Sequence, residues 1–264
     1  MILLKITATI LIVTGLSIIA ERVSPRAAGI LSGYPAGSAI ALFFIGLEQG
    51  AGFAGRGAPY NVAGITATLV LLLIYYLVSA RVSRFTIAAA SAAGIAGFFG
   101  TIGLLNALRL PPWAGVALTT AAIPGFHFLF RAIPDSQITN RVQLAPQVLL
   151  FRAAISALII VTVTGAAQLV GSSQAGLFSA FPATAYPLLL IVHLTYGTHQ
   201  AHTVIKNMPQ GLGSLVVYSL TVAFSYPQVG IYWGTLVSFA AATVYLLGLA
   251  AARQFRFARP VNSQ

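Results

Sequence analysis

Apolar runs of membrane length follow one another along almost the whole chain, separated by short stretches that carry Arg, Pro or Asn. A helix needs about 20 apolar residues to cross a hydrocarbon core. Read with that window, the pattern predicts nine spans, at roughly 2–20, 28–50, 60–80, 85–107, 112–130, 147–169, 175–197, 209–226 and 229–252. Spans eight and nine are expected to meet in a very tight turn at Ser225-Tyr226-Pro227. The first span ends in Ile18-Ile19-Ala20-Glu21, without the small-residue cleavage site of a signal peptide, so it is expected to remain in the protein.

Composition agrees. Hydrophobic residues make up 58% of the 264 positions and charged residues 6%, against about 25% charged in ordinary soluble domains. So little charge cannot cover a water-facing surface of this size, and most of the surface must face lipid. The net charge of +11 does not indicate nucleic acid, because the basic residues punctuate the apolar runs and do not gather on one face. Arg22, Arg26, Arg81, Arg84, Arg131, Arg141, Arg152, Lys206, Arg253, Arg256 and Arg259 follow odd-numbered spans, whereas Lys5, Arg56 and Arg109 fall on the other side. By the positive-inside rule this split predicts an N-terminus outside and a C-terminus in the cytoplasm. The absence of cysteine removes disulfides, thiol catalysis and thiolate metal sites.

The sequence also repeats itself. At a constant offset of 147, Ala28, Gly29, Ser32, Pro35 and Ala36 match Ala175, Gly176, Ser179, Pro182 and Ala183, with Tyr34 facing Phe181. The register continues through Leu42, Leu47, Gly50, Ala54 and Gly64, which match Leu189, Leu194, Gly197, Ala201 and Gly211, and Lys5 aligns with Arg152. Span two and its counterpart span seven cross in opposite directions. The expected fold is therefore an all-α polytopic membrane protein with an inverted repeat: four spans in 1–110, a linking span and loop in 111–146, and four spans with a basic tail in 147–264. Inverted repeats recur in secondary transporters, with the substrate near the midplane at the repeat interface. Channels and lipid flippases use them as well.

The second copy carries Ala175-Gly176-Leu177, Phe181-Pro182-Ala183, His193 and Gly197-Thr198. This stretch resembles the small bacterial inner-membrane family called GlpM, whose members carry A-G-L…F-P-T…H…G-T in a chain of about half this length. Ala183 departs from that pattern, and a gap is needed before His193. The resemblance implies a fused, inverted pair of such units and a link to envelope polysaccharide production; it implies no reaction.

Polar residues at membrane depth are the candidates for function. Both copies read Ser, a small residue, an aromatic and Pro: Ser32, Tyr34 and Pro35, then Ser179, Phe181 and Pro182. Proline disfavours a continuous helix, so each span is expected to break there and start a fresh helix, the two starts facing one another around a polar or anionic guest. The alternative is a proline kink packed against its neighbours. Glu48 is the one acid at membrane depth, either a proton-carrying group or an interfacial carboxylate paired with Arg56. His193, His199 and His202 are candidates for a pH-sensitive gate or proton relay; His199 and His202 share a helix face, and a metal site with His193 or Asn207 lacks supporting Asp, Glu or Cys. No hydrolase, zinc-protease, P-loop or dinucleotide motif occurs, so neither enzyme activity nor a cofactor is expected. The expected function is a secondary transporter, possibly proton-coupled, for a small polar or anionic solute. A flippase for an anionic lipid or lipid-linked sugar, or a structural partner of an envelope complex, are the alternatives. The bilayer is the expected partner, and monomer and homodimer stay open.

Overall fold

The computed structural model describes residues 1–21, 34–134 and 146–257. Every regular element among them is an α-helix. In chain order these are α1 (Ile2–Glu21), α2 (Ala36–Gln49), α3 (Ala51–Ser79), α4 (Thr86–Ala107), α5 (Pro112–Phe130), α6 (Pro146–Ala166), α7 (Ser172–Ser179), α8 (Ala185–Tyr196) and α9 (Thr198–Phe257). The last is bent at Gly230 into two arms, 198–229 and 231–257. Among the described residues five helices, α3, α4, α5, α6 and α9, are long and apolar enough to cross a membrane, with shorter apolar helices at α1, α2 and α8. This is a membrane-embedded helical protein. Ser32, Arg22, Arg26, Asp135, Arg141 and Arg259 lie outside the described residues.

The bundle is organised around α3. The most apolar stretch of α3 is 61% buried, against 22% for α4 and 17% for α5, and α2, α4, α5, α7 and α9 all pack on it. Lipid gives helices no hydrophobic reason to associate, so close approach of small residues has to supply the contact. The α3–α7 seam shows this. A Cβ added at Gly176 would overlap the carbonyl oxygen of Gly57, and one added at Gly64 would stand 2.6 Å from Ala180 Cβ and 2.7 Å from Leu177 O. On the opposite side Gly94 and Gly97 of the small-residue run 88–97 seat α4 against Leu71 and Ile74 of α3.

Three boundaries differ from expectation, for one reason. Gly50 (φ 94°, ψ 155°) and Gly197 (φ 90°, ψ −176°) each turn the chain within a single residue. The helices after them start at once, at Ala51 and Thr198, not at 60 and 209. Glycine reaches these angles without Cβ strain, so no loop is needed. The turn expected at Ser225-Tyr226-Pro227 is helical, and the chain bends at Gly230 (φ 78°) instead. Tyr226 is fully buried, its hydroxyl 2.7 Å from Thr235 Oγ1, and the Pro227 ring packs on Gly55. These contacts hold the helix through the proline until a residue without a side chain allows the bend.

The glycine seam generates a test. Gly57→Leu or Gly176→Leu drives a side chain into facing backbone and is expected to destabilise the protein by about 1–3 kcal/mol or more. Gly100→Leu, where a Cβ meets nothing within 4 Å, is the neutral control. Thermal unfolding in detergent measures both, and equal melting temperatures for all three variants would reject the seam as the determinant of packing.

Candidate functional site

The two S-x-[YF]-P stretches fold alike. Ala36 N donates to Tyr34 O (2.8 Å) and Ala39 N to Pro35 O (2.7 Å); 147 positions later Ala183 N donates to Phe181 O (2.7 Å) and Tyr186 N to Pro182 O (2.7 Å). Each is a tight turn ending at proline, from which a helix begins. In the second copy the break is complete: α7 stops at Ser179 and α8 starts at Ala185. In the first, α2 starts directly after Pro35, and what precedes residue 34 lies outside the described residues.

The two helix starts meet. A Cβ on Gly37 would lie 3.2 Å from Thr184 N and 3.4 Å from Ala183 Cβ. Between them is a cavity of about 20 Å³ bounded by Tyr34, Pro35, Ser38, Phe181, Pro182 and Thr184, room for about one water molecule. Neither α2 nor α8 has a side-chain cap; of their first-turn N–H groups, Ala36 and Ala39 are met by Tyr34 O and Pro35 O and Tyr186 by Pro182 O. Tyr34 and Phe181 bound the cavity, yet both rings are also held by neighbours. Tyr34 stacks on Phe239 at 5.9 Å and its hydroxyl lies 3.0 Å from Thr243 Oγ1. Phe181 packs edge-on to Phe98 at 5.0 Å and to Tyr186 at 5.7 Å. The site is closed.

Breaking α7 frees carbonyl oxygens inside the bundle, where each unmet acceptor is costly. Side chains meet them. Ser38 Oγ donates to Ser179 O (3.0 Å) and Thr68 Oγ1 to Ala180 O (2.7 Å). Ser179 Oγ donates to Gly176 O (2.7 Å) and accepts from Asn61 Nδ2 (2.8 Å), whose Oδ1 accepts from Ser219 Oγ (2.8 Å). Asn61, Ser179 and Ser219 are buried. Four elements, α2, α3, α7 and α9, are thus tied together through one serine. Of this network only Ser179 figures among the sequence candidates. Asn61 was detectable as a lone amide in an apolar span; Ser38, Thr68 and Ser219 carry no such signal, because Ser and Thr are common in membrane helices.

Glu48 has a different partner from the one expected. Lys5 Nζ donates to Glu48 Oε2 at 2.8 Å and to Thr164 Oγ1 at 2.8 Å, and Gln168 Nε2 donates to the same carboxylate oxygen at 3.1 Å. Arg56 is exposed. Lys5, assigned to the outer face by charge counting, is 3% exposed, because α1 lies against α6 and α2 and carries the ammonium into their contact. Arg152, assigned to the cytoplasmic loops, is likewise buried within α6, with Nη2 3.3 Å from Thr184 O at the start of α8. Both cations sit where helix packing, and not a loop, receives them.

The histidines separate. His193 Nδ1 lies 2.7 Å from the Tyr75 hydroxyl and its Nε2 3.1 Å from Thr198 Oγ1. His202 Nε2 lies 2.8 Å from Ser79 Oγ, with Tyr76 edge-on at 4.7 Å. His199 is exposed, and its carbonyl accepts from Thr203 Oγ1 at 3.1 Å. Asn207 donates to Thr203 O within its own helix. Among the described residues no group of three His, Cys, Asp or Glu can hold a metal ion. His193 and His202 therefore clasp the C-terminal turn of α3 from the corner between α8 and α9.

Two measurements probe these contacts. Asn61→Leu leaves Ser179 and Ser219 without their buried partner and is expected to cost about 1–3 kcal/mol of stability, read by thermal or denaturant unfolding. Lys5→Met or Glu48→Gln alone strands a buried charge or its partners and is expected to cost about 3–5 kcal/mol, whereas the double variant recovers most of that loss. Additive losses would dismiss the pair.

Comparison with protein-family models, with curated proteins and with solved structures returned no match, so function has to be argued from the junction of α2 and α8.

Proposed function

We propose that the protein is a secondary transporter working by alternating access on a small polar or anionic solute, built from nine spans in an inverted 4+1+4 repeat. The observation that carries this reading is the cavity of about 20 Å³ where the starts of α2 and α8 meet. Uncapped helix starts present N–H groups and about half a positive charge each, which favours an anionic or strongly polar guest. A cavity this small corresponds to an occluded state, from which either side has to open.

The duplication is supported by element positions as well as by letters. Shifted by 147, Gly50 falls on Gly197 and both take positive φ near 90°; α3 falls on the first arm of α9, and α4 on the second. Counting α2 as the described part of one span, α7 with α8 as a single interrupted span, and α9 as two, gives nine. Two inverted copies of one packing unit have outward-open and inward-open forms of similar energy, which alternating access requires. The Lys5–Glu48 pair, with Thr164 and Gln168 from the second copy, is proposed as an outer ionic lock, and His193 and His202 as part of an inner one. The N-terminus is proposed to lie outside a bacterial plasma membrane and the C-terminus in the cytoplasm. A distant kinship with GlpM-like units is part of the same proposal.

The flippase reading is favoured by a different observation. An apolar groove of about 780 Å³ opens sideways between α3, α5 and α9, lined by Pro59, Trp113, Val116, Thr120, Leu220 and Phe224. A lipid tail could follow this groove while its head group passed the junction.

The cysteine-free sequence makes the decisive experiment direct. Ala185, buried at the junction, is replaced by Cys and exposed to a membrane-impermeant thiol reagent in right-side-out and inverted vesicles. Labelling from each side, with opposite responses to an imposed pH gradient, is expected of alternating access. Protection from both sides under every condition would sink it. Reporter fusions after Arg109 and after Gln264 are expected on opposite sides of the membrane. Glu48→Gln is expected to abolish proton-driven uptake in proteoliposomes, and an unchanged pH dependence would reduce Glu48 to a structural anchor. Movement of labelled lipid with no solute flux would select the flippase.

A further inference from the structure

A second cavity, of about 200 Å³, lies beside Tyr60 and Ala63 of α3, at the start of α7 and where α4 passes into α5. It is separate from the junction described above. Its polar lining is Tyr60, Asn106, Arg109 and Ser173, and its inner wall includes Leu177. Several times larger than the share of liquid volume of one water, about 30 Å³, it has room for a phosphate or a small carboxylate.

The chemistry of this lining is one-sided. Arg109, an exposed residue at the rim of the cavity, brings a permanent positive charge, and its side chain makes no hydrogen bond or ion pair among the described residues. Its backbone is held at φ 48°, a left-handed conformation that costs a side-chain-bearing residue about 1 kcal/mol. Arg109 N donates to Asn106 O at 3.2 Å, which closes the end of α4 and leaves the side chain at the cavity. The α7 start adds to it. Its N-cap is Gly171, which offers no side chain, so the first-turn N–H groups around Ser173 have no local acceptor. The start of α5, capped by Pro111 without a side-chain bond, forms the facing rim.

The cavity adjoins α7, whose far end reaches the junction. Ser173 stands at its mouth, and Ser179 at the junction lies six residues along the same helix, about 9 Å by helical rise. Leu177 separates the two spaces, with its carbonyl over Gly64. We propose that the Arg109 cavity is a binding site for a phosphate- or carboxylate-type anion, and that it serves as the outer antechamber of the junction. The antechamber role rests on the transporter reading; anion binding itself does not.

The test uses the full chain in nanodiscs of zwitterionic phosphatidylcholine. Inorganic phosphate and acetate are titrated by calorimetry, and retention of phosphatidylglycerol over phosphatidylcholine is measured by native mass spectrometry, so a free anion and a lipid head group are told apart. Saturable, salt-weakened binding of any of these probes is expected. Arg109→Gly is the key variant, since glycine accepts the positive φ while removing the charge: it is expected to fold at least as stably and to lose binding tenfold or more. Arg109→Lys should retain part of the affinity, and Arg56→Gln, outside the cavity lining, should retain all of it. No saturable binding of phosphate or acetate together with no phosphatidylglycerol preference, or equal binding by Arg109→Gly, overturns the site. Binding that survives in a protein with no transport overturns the transporter reading and leaves the anion site standing.

Discussion

The rest of the structure depends on how a membrane-embedded bundle satisfies the carbonyl oxygens of Ser179 and Ala180. Ending α7 at Ser179 leaves these acceptors without intrahelical donors in a region where water is scarce. The donors come from other helices, Ser38 on α2 and Thr68 on α3. A broken helix in this setting cannot be a local event. It obliges α2, α3 and α9 to stand where their hydroxyl and amide groups can reach it, and Asn61 binds the arrangement by contacting Ser179 and Ser219 at once.

Small residues make that reach possible. Serine and threonine side chains are short, so the backbones must approach within a few ångströms before their hydroxyls can meet a carbonyl. Gly57 and Gly64 on α3, opposite Gly176 and Ala180, remove the atoms that would hold α3 and α7 apart. The polar network and the glycine seam are therefore one device: the seam sets the distance and the network sets the register. The buried ion pair works differently. Lys5 and Glu48 bring two charges into the contact of α1, α2 and α6, with Thr164 and Gln168 completing the shell. Such a pair confers specificity of arrangement more than net stability.

The junction and the larger Arg109 cavity lie toward opposite ends of α7. This helix has eight residues, with one end at the outer cavity and the other at the junction. A short helix packed through glycines can shift as a unit, since its neighbours hold it by a few hydrogen bonds and not by interlocked side chains.

Much of this was legible in the letters alone. Hydropathy located α1, α4, α5 and α6 closely, because a lipid-crossing helix has to be apolar along its whole length whatever surrounds it. The doubled Ser-x-aromatic-Pro stretch announced an interruption, since proline lacks the donor a continuous helix needs. Which side chains would repair that interruption was beyond the sequence: Ser38, Thr68 and Ser219 look like any other hydroxyl in a membrane helix until packing brings a carbonyl to them. Charge counting put Lys5 and Arg152 at opposite faces and paired Glu48 with the nearer Arg56, because one-dimensional rules see neighbours in the chain and not across it. The contact of α1 with α2 and α6, separated by 43 and 159 positions at Lys5's two partners, decided that pairing. The sequence determined where helices run and where they must stop; the tertiary structure decided what each stop exposes and what answers it, because hydrogen bonds and ion pairs are settled by distance in space.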